Sequence, residues 1–272
     1  TGRFLDEAEA AAVMVVRMAS LAQGKSGVRP MLLERMCELL NRRILPRIPA
    51  EGSVGASGDL TPVSYIAATL IGEREVSVGI QGSGFGVQAA RVAECPEPRT
   101  PNPIPKILSS ADALKAAGLA PIALRPKESL ALMNGTSVMT GLACLAIERA
   151  QKLARWASAP SAMSSDVLRG NREHFDERLF LAKPHAGQLQ CARWIAADIE
   201  YRRETHDHDG RIQDRYSVRC APHVIGVLLD SLSFIRTWIE TEINSANDNP
   251  LLDPATGDAL HGGNFYGGHP CM

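Results

Sequence analysis

The stretch "VIGVLLDSLSFIRTWIETEI", residues 224–243, places Val224, Leu228, Leu232, Ile235, Ile239 and Ile243 at intervals of four, four, three, four and four. That period belongs to one face of a helix and not to a strand, where successive side chains alternate between two faces. The stripe predicts a helix of about 30 residues, roughly 45 Å long at 1.5 Å per residue. Such a helix is too long to be covered by the other helices of a 272-residue chain. It predicts an all-α, elongated bundle of long helices whose flanks are covered by identical copies, a four-fold association with two-fold axes being the economical arrangement.

Working outward, "KESLALMNGTSVMTGLACLAIERAQKLARWA", residues 127–157, is rich in small residues and apolar on most faces. It predicts one long helix at the centre of the bundle. The alanine-rich stretch over 7–21 and the set Leu32, Met36, Leu39 and Leu40 predict a helical hairpin ahead of a glycine-rich loop at 51–60. After the loop, Thr61-Pro62 reads as a cap and first-turn pair. Residues 75–108 change character: "VSVGIQGSGFG" suits a short strand or an exposed loop, and "CPEPRTPNPIP" holds too many prolines for a regular element. This stretch reads as a surface excursion, before Ser110 and Asp112 cap a returning helix. "DPATGDALHGGNFYGG" reads as a turn or short hairpin.

Twenty-nine basic and 30 acidic side chains give a net charge of −1, which offers nothing electrostatic to nucleic acid or an anionic membrane surface. The chain has no uninterrupted apolar run of about 18 residues. Its six cysteines are scattered without a C-x-x-C pair, the pattern of free thiols in a reducing cytoplasm. It opens mid-pattern on "TGRFLDEAEAAA" and stops at "GGHPCM", which suggests a piece of a longer protein.

The loop "EGSVGASGDL", residues 51–60, carries the chemistry. It lacks the G-K-[ST] ending of a phosphate-binding P-loop. It also has Asp59 where a nucleophile elbow around Ser57 needs glycine. The triplet Ala56-Ser57-Gly58 offers something else, because a glycine nitrogen is the least hindered peptide N–H. In a tightly bent loop the Gly58 nitrogen can attack the Ala56 carbonyl and close a five-membered ring. Loss of water from the ring and from Ser57 then leaves an exocyclic methylene, an electrophile made from the backbone.

"GSVGASGDLTPVSYIA" resembles the signature of the histidine and aromatic amino acid ammonia-lyases and the related 2,3-aminomutases. In those enzymes Ala-Ser-Gly forms 4-methylidene-imidazol-5-one (MIO). "KESLALMNGTSV", "QDRYSVRCAPHVIGVLLD" and "EINSANDNPLLD" running into "GGNFYGGH" match in the same order. The resemblance implies that residues 1–272 are the central part of the MIO catalytic helical domain, without the segments carrying the family's tyrosine base and its active-site acid or amide. It also implies a homotetramer whose active sites draw residues from three subunits.

On this resemblance Ala56, Ser57 and Gly58 form the MIO ring, and Tyr216 joins the catalytic set. Arg219 matches the family's carboxylate-binding arginine, a role suited to a planar guanidinium. Gln213, Tyr216 and Arg219 are spaced by three, so on a helical turn they would share a face. Asn134 interrupts an apolar helix with a group that must be hydrogen-bonded if buried, and the resemblance sets it beside the ring or substrate. Phe265 would wall the pocket, with Asn264 a weaker candidate. "HDHDGR", residues 206–211, reads as a solvated loop and not a metal site, since this chemistry needs no metal. His185 and His223 read as structural. The expected substrate is an aromatic L-amino acid, tyrosine or phenylalanine, with histidine ammonia-lyase as the alternative enzyme and a catalytically incomplete helical scaffold as the alternative of another class.

Overall fold

The computed structural model describes residues 2–54, 58–79, 105–200 and 212–272. It divides into two compact units, Thr1–Leu145 with Ile239–Met272, and Ala146–Trp238.

In the first unit α1 (Glu7–Ala22) and α2 (Pro30–Asn41) form the expected hairpin. A capping box starts α1: Asp6 Oδ1 accepts the Glu9 N–H at 2.8 Å, and Glu9 Oε2 accepts the Asp6 N–H at 2.9 Å. Strand β1 (Ile44–Pro46) leads to α3 (Leu60–Leu70), β2 (Glu75–Val78), β3 (Lys106–Ser109) and α4 (Ser110–Ala116). The three strands form an antiparallel sheet in the order β1-β2-β3, with Leu45 opposite Ser77 and Val76 opposite Leu108. The apolar spacing of α1, α2 and α3 turns Met14, Leu32, Met36, Leu39, Ile66 and Leu70 into one core, each with 0% exposure.

The long helix expected over 127–157 is broken. α5 (Glu128–Met133) ends at Asn134 and α6 (Ser137–Val167) begins after a three-residue turn. Gly135, at φ +129°, has left the helical region, and the Asn134 backbone is extended. The expected caps also move. Ser109, not Ser110, caps α4, its Oγ accepting the Asp112 N–H at 3.1 Å. The residue before α3 is Asp59, whose side chain caps nothing in its own helix.

In the second unit a 3-10 turn at Arg172–Phe175 leads to α7 (Glu177–Leu181), α8 (Ala186–Asp198), α9 (Tyr216–Arg219) and α10 (Ala221–Ile243). The stripe therefore sits on a helix of 23 residues and not about 30. Cys220 separates α10 from the turn of α9, and Pro222 sits in the first turn of α10, where its missing N–H is tolerated. Leu232 and Ile239 are buried, while Val224 is 74% and Phe234 61% exposed. His223 packs against the Phe180 ring, 5.3 Å between centroids, as a structural residue would, whereas His185 precedes α8 exposed and without a side-chain cap bond. The hairpin expected near residue 253 is present as β4 (Leu251–Leu252) and β5 (Ala259–Leu260), followed by α11 (Gly268–Cys271). Segments 128–167 and 216–243 are long and apolar enough to cross a bilayer by length and composition alone, as core helices of soluble proteins also are.

Two braces of this fold are measurable. α10 crosses α8 at Gly226, where a Cβ would stand 2.5 Å from Gln188 N and Cα. Gly226→Ala should lower stability by about 1–3 kcal/mol through overpacking, read as a lower denaturant midpoint; an unchanged midpoint would show that the crossing yields freely. The second brace is Glu128, buried at the start of α5 and paired through both oxygens with Arg29 Nε and Nη2 at 2.7 Å. Arg29 holds its carboxyl down from the ordinary 4.5 to about 2. A depressed carboxyl contributes stability above its unfolded pKa and loses it as pH falls through the folded one. The stability gap between the parent and Glu128→Gln should thus be largest at neutral pH, roughly 3 kcal/mol, and close as pH falls from about 4.5 toward 2. A gap that does not change with pH would mean that the charge contributes nothing.

Candidate active site

Ala56 and Ser57 lie outside the described residues, and Gly58 opens the described side of the loop. Gly58 has φ +76°, and a Cβ there would stand 2.6 Å from the Gly135 carbonyl oxygen and 2.9 Å from that of Phe265. Only glycine fits, on both conformational and spatial grounds. Gly58, the described member of the triplet, thus has the positive φ and crowded surroundings that fit the third residue of an MIO.

Asp59 is fully buried. Its N–H donates to Gly135 O at 2.8 Å, and its Oδ2 accepts the N–H groups of Val138 at 2.8 Å and Met139 at 3.0 Å. The carboxylate thus caps α6, where a negative charge meets the free N–H groups of a helix start. Burial pushes the Asp59 carboxyl up, and the two backbone donors oppose that shift.

Asn134 is buried, as its place in an apolar run demanded. Its Nδ2 donates to Asp248 Oδ1 and to Asn249 O, each at 3.2 Å. Asp248, with 0% exposure, also accepts from Lys127 Nζ at 2.5 Å. Lys127 sits at φ +71°, uncommon for a residue with a side chain. Thr136 Oγ1 donates to Glu242 Oε1 at 2.5 Å, joining the same turn to the end of α10. Phe265 is half-buried and meets the loop through its carbonyl, while Asn264 is exposed. The structure thus brings Gly58, Asn134 and Phe265 around one turn, Asn134–Thr136.

Gln213, Tyr216 and Arg219 belong to the other unit. They do not share a helical face, because α9 begins at Tyr216 and leaves Gln213 in the bend before it. Tyr216 and Arg219 do meet: the guanidinium stacks over the ring at 4.3 Å, and Nη1 donates to Asp214 O at 2.9 Å. Tyr216 is 74% exposed. The run 206–211 lies outside the described residues, and among the described residues no His, Cys, Asp or Glu cluster could hold a metal.

Sequence reasoning left out Arg17, Lys127 and Asp248 as site residues. Arg17 had a readable signal, a lone cation inside the apolar run "VMVVRMASLA". A pocket of about 450 Å³ opens beside Asn247, lined in part by Lys25, Glu242, Asn244 and Tyr266. Gly58, Asn134 and Phe265 are not among its lining residues.

The sequence pattern of the aromatic amino acid lyases matches residues 1–272. A histidine ammonia-lyase from Koribacter versatilis is 40% identical over 278 residues, which covers 97% of this chain and 49% of that protein. Among solved structures, tyrosine aminomutase from Streptomyces globisporus aligns with a TM-score of 0.78 at 34% identity, over 97% of this chain and 49% of that one. Phenylalanine ammonia-lyase from Rhodosporidium toruloides aligns with a TM-score of 0.79 at 32% identity, over 97% and 37%. The chain spans about half the length of the curated relatives it matches. With a family pattern matched from end to end and the helical fold of its solved members, the chain belongs to the aromatic amino acid lyase family.

Proposed function

We propose that residues 1–272 are the central part of the catalytic helical domain of an MIO-dependent ammonia-lyase, and that histidine is its first substrate candidate. The observation that carries this reading is Gly58, bent to φ +76° and wedged against two carbonyls directly after Ala56-Ser57. The curated relatives support histidine, and they move the tyrosine or phenylalanine expectation to second place. Tyrosine and phenylalanine aminomutases among the structural neighbours keep a 2,3-amino shift as the second reading.

Such an elimination breaks a C–H bond at a carbon that is not acidic, so the leaving amine and the departing proton both need assistance. An MIO formed from Ala56-Ser57-Gly58 supplies the electrophile that makes the amine a better leaving group. Arg219 binds the substrate carboxylate through its two-pronged guanidinium, already oriented by Asp214 O and the Tyr216 ring. Tyr216 offers its exposed phenol next to Arg219, and Gln213 reaches the substrate from the bend before α9. Asn134, with its amide donors already engaged, fixes the polar edge of the site, and Phe265 excludes water from one wall. The exposed apolar flanks of α10 are covered by identical chains in a homotetramer. Gln213, Tyr216 and Arg219 then serve a ring formed in a neighbouring chain.

The test is an assay of the complete natural protein with histidine, tyrosine and phenylalanine that resolves acrylates from β-amino acids. Turnover of histidine to the acrylate supports the reading; β-amino acid products would replace it with the aminomutase, and inactivity on all three would reject it. Ser57→Ala should abolish the two-water mass deficit of the ring and lower turnover by several orders of magnitude with the fold intact; near-normal activity would sink the MIO reading. Arg219→Lys keeps the charge but loses the fork, and should reduce kcat/KM by roughly 2–4 kcal/mol of binding; an unchanged kcat/KM would remove Arg219 from carboxylate binding. Mixed tetramers of inactive Ser57→Ala and inactive Arg219→Ala chains should recover activity, and verified hybrids without recovery would exclude shared sites.

A further inference from the structure

Arg17 lies in α1 with 0% exposure. Its Nη1 donates to the carbonyls of Asn134 and, at 3.0 Å, of Asn247, while Nη2 donates to Ser20 Oγ at 3.2 Å. Ser20 Oγ in turn accepts the Asn247 N–H at 2.8 Å. One guanidinium therefore ties together α1, the Asn134 turn and the Asn247 loop. Burial pulls Arg17 down to about 10, with Asp248 opposing, so it is charged at neutral pH.

What Arg17 holds is the support of the reactive loop. The peptide plane joining Asn134 to Gly135 is rigid, so fixing one carbonyl fixes the next residue. A Cβ on Gly135 would stand 2.6 Å from Arg17 Nη1 and 2.5 Å from Asn247 O, a space without slack. The Gly135 carbonyl is the group that accepts the Asp59 N–H and crowds Gly58. Direct contacts thus run from Arg17 through Asn134–Gly135 to Gly58–Asp59.

We propose that Arg17 is a positioning residue for the ring-forming site, setting the place of Gly135 against which Gly58 is pressed. The proposal rests on the MIO reading. In ring closure the Gly58 nitrogen bonds to the Ala56 carbonyl carbon and its proton passes to that oxygen. The new hydroxyl leaves as water with the Ser57 amide proton, and the Ser57 hydroxyl leaves as water with the Ser57 α-hydrogen. Two waters are lost, and no oxidant is needed.

The experiment compares the complete natural protein with Arg17→Lys, which keeps the buried charge but cannot reach both carbonyls and Ser20 together. Intact mass reads ring content, circular dichroism reads folding, and kcat is expressed per folded molecule. The parent should show the two-water deficit. In folded Arg17→Lys most chains should retain both waters, and kcat should fall about 100-fold with KM little changed, the scale of a misplaced reacting group. Full ring content with parental kcat in the variant would overturn the role of Arg17, whatever its melting temperature. A parent without the deficit would overturn the MIO reading and the proposal together. If Arg17→Lys does not fold, Ser20→Ala decides: it unlinks Arg17 Nη2 and the Asn247 N–H without touching a charge. Partial ring loss there supports the proposal, and full ring content overturns it.

Discussion

A charge placed inside a protein must be met on its donors, because an uncompensated buried ion costs several kcal/mol. Arg17 imposes that condition on the first unit. Most helical carbonyls are taken by their own ladder, so Nη2 turns to the Ser20 hydroxyl and Nη1 to carbonyls outside regular structure, while Nε finds no partner among the described residues. The Asn134 turn and the Asn247 loop are such places, and both bring a carbonyl to the guanidinium. The interruption of the central helix at Asn134 and the irregular path after α10 place these carbonyls within the guanidinium's reach. A continuous helix through residue 134 would leave the cation without those partners.

The same economy governs the neighbouring acids. Asp59 leaves its own helix uncapped and serves the start of α6, so the end of the glycine-rich loop is anchored by a helix distant in sequence. Asp248 collects Lys127 and the Asn134 amide on one carboxylate. Each buried acid answers donors from segments far apart in the chain, and the loops between them have little freedom left.

Helix identity was legible from local pattern. The hairpin of α1 and α2, the stripe on α10 and the closing β4-β5 hairpin follow from periodicity and turn chemistry that neighbours in sequence supply. Illegible were features decided by distant partners. Asn134-Gly135 is a turn signal inside "LALMNGTSV", but the partner that takes up the freed carbonyl, Arg17, sits 117 positions away and could not be read from it. The pairing of β2 with β3 and the transfer of Asp59 to α6 are of the same kind. Of the candidate site, the residue types were readable from the motifs, and Gly58, Asn134 and Phe265 do gather at one turn. The shared face of Gln213, Tyr216 and Arg219 was not, because spacing by three implies a common face only inside a continuous helix.

The antiparallel pairing of β2 with β3 also bears on how this chain can vary. Val78 stands opposite Lys106, so the two ends of the intervening stretch are pinned side by side by ladder hydrogen bonds. Opposed ladder positions fix the register, because a slip of one residue would turn the fully buried Val76 off the core face. A single added residue between Met133 and Ser137 would likewise shift the carbonyl that Arg17 needs.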